Sequence, residues 1–111
     1  NMNYITGDYA CVPFAHYVMT GRDLRYSQIK PMLRTKPLVN RVNPNSWYVV
    51  AWTHSNPEVA GHVGVLHGGR VIHRAEGFPM VMPFNDLNAS LTNLGYDQIP
   101  GYSPIYYNWG N

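Results

Sequence analysis

Three residues of this 111-residue chain have types and spacings that can do chemistry together: Cys11, His62 and His73. Cys11 is the only cysteine, and it opens a stretch, 11–20, in which Phe14, Tyr17 and Val18 recur at helical spacing before Gly21 supplies a stop. Pro13 falls in the first turn, where its missing N–H costs nothing. Residue type alone favours an inert buried thiol; position argues for reactivity. A thiol at a helix N-terminus faces unpaired N–H groups and the positive end of the dipole, and both favour the nucleophilic thiolate. The same N–H groups are material for an oxyanion hole. Such a nucleophile needs an imidazole within reach.

The segment 61–76 supplies two. Gly68-Gly69 between apolar runs is a hairpin signal. A two-residue turn there sets His67 against Arg70, and counting outwards sets Gly64 against His73 and His62 against Ala75. Side chains alternate along each strand, so His62 and His73 share one face as diagonal neighbours, with Gly64 leaving room for the rings. One histidine can then act as base while the other orients it. The same parity puts His67, Arg74 and Glu76 on the opposite face with Val63, Val65 and Ile72. A one-residue bulge would reverse that and bring Glu76 to the pair, which keeps Glu76 in reserve as the orienting group. His16, five residues after Cys11, points away from the thiol and reads as a surface or packing histidine. His54 has no evident partner. Cys11, His62 and His73 are zinc-ligand types, but no fourth ligand has matching spacing, and no metal is expected.

These residues need elements to hold them. After a polar-aromatic segment, 3–10, come the helix from Cys11 and a second short helix over 23–30, ended by Pro31. Residues 35–46 read as loop. Strands follow over 47–53, 61–67 and 70–76, with 78–82 extending the sheet; 86–94 is weakly helical up to Gly95, and 105–109 reads as a last strand. Helices first and then a mostly antiparallel sheet is the α+β arrangement, in one domain over 1–111. With 45% apolar and 14% aromatic residues the chain can bury a core. Eight basic against six acidic residues, scattered along the chain, make no nucleic-acid footprint. A single cysteine excludes an internal disulfide. No apolar run approaches the roughly 20 residues that cross a bilayer. No basic segment followed by an apolar one opens the chain, so no signal peptide is expected, with Met2 as the native start and Asn1 a remnant ahead of it.

Gly61-His62-Val63-Gly64-Val65-Leu66 followed by Gly68-Gly69-Arg70-Val71-Ile72-His73 resembles the histidine hairpin of NlpC-type papain-like cell-wall peptidases. Cys11-Val12-Pro13-Phe14-Ala15-His16-Tyr17 is more similar to the nucleophile helix of the related CHAP amidases. The order of cysteine, histidine and third residue matches, and the resemblance spans about residues 7–76. It implies a papain-like fold with N-terminal helices packed on an antiparallel sheet. It implies Cys11 as nucleophile, His62 as base and His73 as third residue, with Tyr4 or Tyr9 lining the substrate cleft. No cofactor is implied. The sequence departs from the NlpC pattern in having Ala10 and Val12-Pro13 around the cysteine. CHAP enzymes commonly carry an acidic or amide third residue, a second reason to hold Glu76 in reserve.

The function expected from residues and resemblance is hydrolysis of an amide bond in the peptide part of peptidoglycan, as endopeptidase or amidase. A chain made in the cytoplasm without a secretion signal reaches the wall as a phage lysin or as an antibacterial effector, the latter with a delivery partner or an immunity protein. Two rivals stand beside this. One is a non-catalytic wall-binding module using aromatic residues such as those of 102–109. The other is a papain-fold acyltransferase, because a fold does not fix a function.

Overall fold

In a computed structural model of the chain, the described residues are 11–33, 39, 41–56, 58, 61–75, 78–96 and 104–107. Helix α1 spans Cys11–Thr20 and buries Cys11, Val12, Ala15 and His16, leaving Tyr17 exposed. The buried stripe is therefore the small-residue one rather than the Phe14–Tyr17–Val18 set that the spacing suggested. Small side chains let the helix axis approach the sheet closely. Gly21, at φ +75°, closes the helix by donating its N–H to the Tyr17 carbonyl at 2.7 Å.

Helix α2 spans Tyr26–Leu33 and contains Pro31, so it starts and ends later than expected. Its start is set by Gln28, whose Oε1 accepts the Arg25 N–H at 2.9 Å, the backward half of a capping box. Pro31 is tolerated because the carbonyl it cannot bond, that of Ser27, belongs to an exposed residue.

The five strands are β1 Tyr48–Trp52, β2 His62–His67, β3 Arg70–Ala75, β4 Phe78–Pro83 and β5 Ile105–Tyr107. They form one sheet in the order β4-β3-β2-β1-β5, antiparallel throughout. Gly68 and Gly69 both have positive φ, +58° and +76°, as a two-residue hairpin turn demands. The pairs Val65–Ile72, Leu66–Val71 and His67–Arg70 give the register that such a turn predicts.

Helix α3, Phe84–Asn93, follows β4 and ends at Gly95 (φ +92°). There the Tyr96 N–H bonds the Leu91 carbonyl and the Gly95 N–H bonds that of Thr92, a Schellman closure. The result is a small α+β domain with two apolar layers. One layer joins Cys11, Val12 and Ala15 of α1 and Ile29 of α2 to Val49 and Val65, with Val63 and Ile72 packed against it. The other joins Leu87 and Leu91 of α3 to Val50, Trp52, Leu66 and Val71. Among the described residues no helix is long and apolar enough to cross a membrane.

Candidate active site

His62 is the first residue of β2 and His73 lies in β3, and the hairpin register brings their side chains together. His62 Nε2 and His73 Nδ1 are 2.9 Å apart, with the rings edge to face at 82°. Both are buried. Gly64 is the reason the strands can carry them. A Cβ at that position would lie 2.6 Å from Val71 Cγ1 and 3.1 Å from His73 Cβ. Across the sheet Trp52 pairs with His62 in the β1–β2 register and stacks on its ring at 6.1 Å and 24°. Trp52 is itself held by α3, its Nε1 donating to Asn88 Oδ1 at 2.8 Å. On the other side Met82 of β4 places its sulfur 3.4 Å from His73 Nε2. His62 Nδ1 is buried and has no hydrogen-bond partner among the described residues.

Electrostatics follow from burial. Removal from water disfavours imidazolium, and the neighbouring His73 adds to this, pushing His62 from the ordinary 6.5 down to about 3. Burial lowers His73 as well. The pair is neutral around pH 7 and can accept a proton only from a donor brought up against it.

Cys11 stands at the N-terminus of α1, fully buried. Burial raises its pKa, and this outweighs the backbone N–H groups of Val63, Cys11 and Val12, which act in the opposite direction. The expectation that the helix start favours thiolate is thus met only in part. The N–H groups are there, but desolvation dominates and the resting form is the thiol.

The structure also shows a relation that strand parity did not reveal. Helix α1 packs on the Val49–Val65 face, whereas His62 and His73 share the Trp52–Leu66 face. The sulfur nevertheless lies against the backbone of Val63, the residue after His62. Cys11 therefore sits in the α1 layer beside the start of β2. It makes no hydrogen bond to His62 Nδ1.

Tyr4, Tyr9 and Glu76 lie outside the described residues, as do 108 and 109 of the aromatic tail. Val63, Val65 and Ile72 take the face that parity assigned to them. His16 is buried, its ring Nδ1 3.3 Å from Thr20 Oγ1, so it is a packing histidine and not a surface one. His54 does have partners. Its Nε2–H donates to the Leu94 carbonyl at 2.8 Å, while Nδ1 accepts the Asn56 N–H at 2.9 Å. His67 stacks on Trp47 at 4.1 Å, and its Nδ1 lies 3.1 Å from the Ser46 carbonyl oxygen.

Trp52 and Met82 were missed from sequence. Trp52 could have been found by extending the register count to β1. Met82 lies two residues beyond Met80, the residue paired with His73, so only side-chain reach brings it in. A cleft of about 500 Å³ lies beside α1, lined by Phe14, Tyr17, Asp23, Leu24, Arg25 and Arg74 among others.

Comparisons with protein-family models, with curated proteins and with solved structures find no match to this chain.

Proposed function

We propose that this chain is a papain-like cysteine hydrolase that cleaves an amide bond in the peptide part of peptidoglycan. The observation that carries the reading is the hydrogen-bonded His62–His73 pair. One imidazole nitrogen is engaged by the second histidine while His62 Nδ1 has no partner among the described residues, and a thiol ringed by backbone N–H groups lies at the same end of β2. In this reading Cys11 Sγ gives its proton to His62 Nδ1 and attacks the scissile carbonyl carbon. The oxyanion is held by N–H groups at the start of α1, that of Cys11 foremost. His62 returns the proton to the leaving amine, and water then hydrolyses the thioester with His62 again as base. His73 keeps the His62 ring in place throughout, the part played by the third member of a triad. In this reading substrate binding brings the thiol within hydrogen-bonding reach of His62 Nδ1. The steps require no metal or organic cofactor.

The complete burial of Cys11 favours a second reading, a non-catalytic wall-binding module in which the thiol is a small apolar side chain. Mass spectrometry of purified sacculi incubated with the wild-type chain and with Cys11→Ala separates the two. Hydrolysis predicts new muropeptides with the wild type alone, at least a hundredfold above the variant, and their masses identify the bond cut. Unchanged sacculi with both proteins, together with equal binding to them, establish the module. A product carrying an added acyl group assigns the transferase chemistry instead.

A further inference from the structure

The contact between His73 Nε2 and Met82 Sδ, 3.4 Å, bears on how the two buried histidines share their protons. A thioether sulfur has lone pairs and no hydrogen, so it can only accept. A neutral imidazole carries one N–H and one bare nitrogen. We propose that Met82 is a positioning residue that sets the tautomers of the pair: His73 is protonated at Nε2, His62 is protonated at Nε2, and His62 Nδ1 is the bare, proton-accepting nitrogen.

The chain of bonds leaves little choice. If Met82 Sδ accepts, His73 Nε2 holds the hydrogen and His73 Nδ1 is bare. That bare nitrogen lies 2.9 Å from His62 Nε2, which must then donate. His62 has one hydrogen, now at Nε2, so its Nδ1 is left as a lone pair. The opposite direction can be checked in the same way. His73 Nδ1 would donate to His62 Nε2, and His62 Nδ1 would carry a hydrogen with no acceptor among the described residues. The lone pair on His73 Nε2 would meanwhile face the lone pairs of the sulfur. A buried N–H without an acceptor is rarer and costlier than an under-used acceptor nitrogen. The two ends of the chain, sulfur at one and Nδ1 at the other, thus select the same direction independently. Burial keeps both rings neutral, the state in which tautomer choice has meaning.

The fold explains why a methionine does this. Met82 lies on β4 opposite Val71 and on the same face as His73, partly buried. Its unbranched side chain reaches along the strand to a ring that a shorter residue would not touch. The tautomer assignment stands on these contacts alone. Its catalytic consequence, a base with its lone pair free for the Cys11 proton, rests on the hydrolase reading above.

Long-range proton–nitrogen NMR correlation of the histidine rings, on the full chain at neutral pH, reads the tautomers directly. The wild type is expected to show protonated Nε2 and bare Nδ1 on both His62 and His73. A bare Nε2 on either ring overturns the proposal without recourse to any variant. Met82→Leu keeps the bulk and removes the acceptor. It is expected to weaken the tautomer bias roughly two- to tenfold, the worth of one ordinary net hydrogen bond. Met82→Gln offers a carbonyl acceptor and is expected to restore the bias. An undiminished wild-type pattern in Met82→Leu overturns the role of Met82. On muropeptides, Met82→Leu is expected to lower kcat in proportion to the fall in the population of the His62 tautomer with bare Nδ1, a smaller factor than the change in the tautomer ratio, with KM unchanged, and Met82→Gln to recover it. The two readings fail separately. Expected tautomers with uncut peptidoglycan sink the hydrolase and leave Met82 its role, whereas cleavage with reversed tautomers leaves the hydrolase standing and sinks the role of Met82 together with the choice of His62 Nδ1 as the accepting nitrogen.

Discussion

His62 and His73 are 0% and 1% exposed, and at the scale of single residues their burial links charge to stability. His62 is pushed from 6.5 to about 3 by desolvation first and by His73 second. Between those two values the unfolded chain binds a proton that the folded chain refuses. Stability is therefore complete above about pH 6.5 and declines as the pH falls towards 3. His73, lowered in the same direction, adds to the decline. Urea midpoints measured across that window are expected to fall steadily for the wild type and less steeply for His62→Gln. A flat wild-type profile would show that the rings are solvated. Cys11 carries a linked cost of its own, since burial raises its pKa and disfavours thiolate at neutral pH.

At the scale of elements, the histidine pair depends on three strands and one helix acting together. β2 and β3 bring the rings together, β1 supplies the stacked Trp52, and β4 supplies the sulfur. Helix α3 secures the assembly through Asn88, which accepts the Trp52 N–H at 2.8 Å. Trp52 is 1% exposed, so removing that acceptor leaves a buried donor unsatisfied. Asn88→Ala is expected to cost about 1–3 kcal/mol in urea unfolding. It should also loosen the indole that lies over His62, seen as a change in the His62 ring resonances. A cost near zero would mean that water replaces the amide at no penalty. α3 is otherwise well terminated by Gly95, whose positive φ suits a residue without a side chain; a Cβ there would also lie 3.0 Å from the His54 ring.

Across the whole molecule the two apolar layers divide the work. The α1 layer carries the thiol, and the α3 layer carries the imidazoles and Trp52. The cleft beside α1 brings Arg25 together with Asp23, Phe14 and Tyr17, so it combines aromatic walls with an exposed guanidinium. That combination suits the carboxylates of an acidic peptide, in line with the chain's net charge of +2. Under the hydrolase reading Arg25→Ala is expected to raise KM for acidic muropeptides roughly two- to fivefold, the worth of an exposed charge pair. kcat should be nearly unchanged, and added salt should erase the difference. Equal KM values at low salt would place the substrate elsewhere.

What was legible in advance follows from local chemistry. Gly68-Gly69 dictates a two-residue turn because both positions need positive φ, and with the turn the whole β2–β3 register is determined. From that register the meeting of His62 and His73 is arithmetic. The helix start at Cys11 was equally readable, from apolar spacing and the stop at Gly21. The bounds of α2 and the buried stripe of α1 were not, because Gln28 capping and the preference for small residues against the sheet are set by neighbours in space. Parity tells which residues share a face but not which face a helix covers. That choice, which places α1 opposite the histidines and brings Cys11 to the Val63 backbone, is made by the fit of the two apolar layers. Met82 likewise enters the site through side-chain reach across a strand pair. The sequence by itself determined the turn, the register and the pairing of the imidazoles, since each depends on backbone periodicity. The depth of burial, the raised thiol pKa and the sulfur contact were decided only by tertiary packing, since desolvation and side-chain contact depend on everything that surrounds a group.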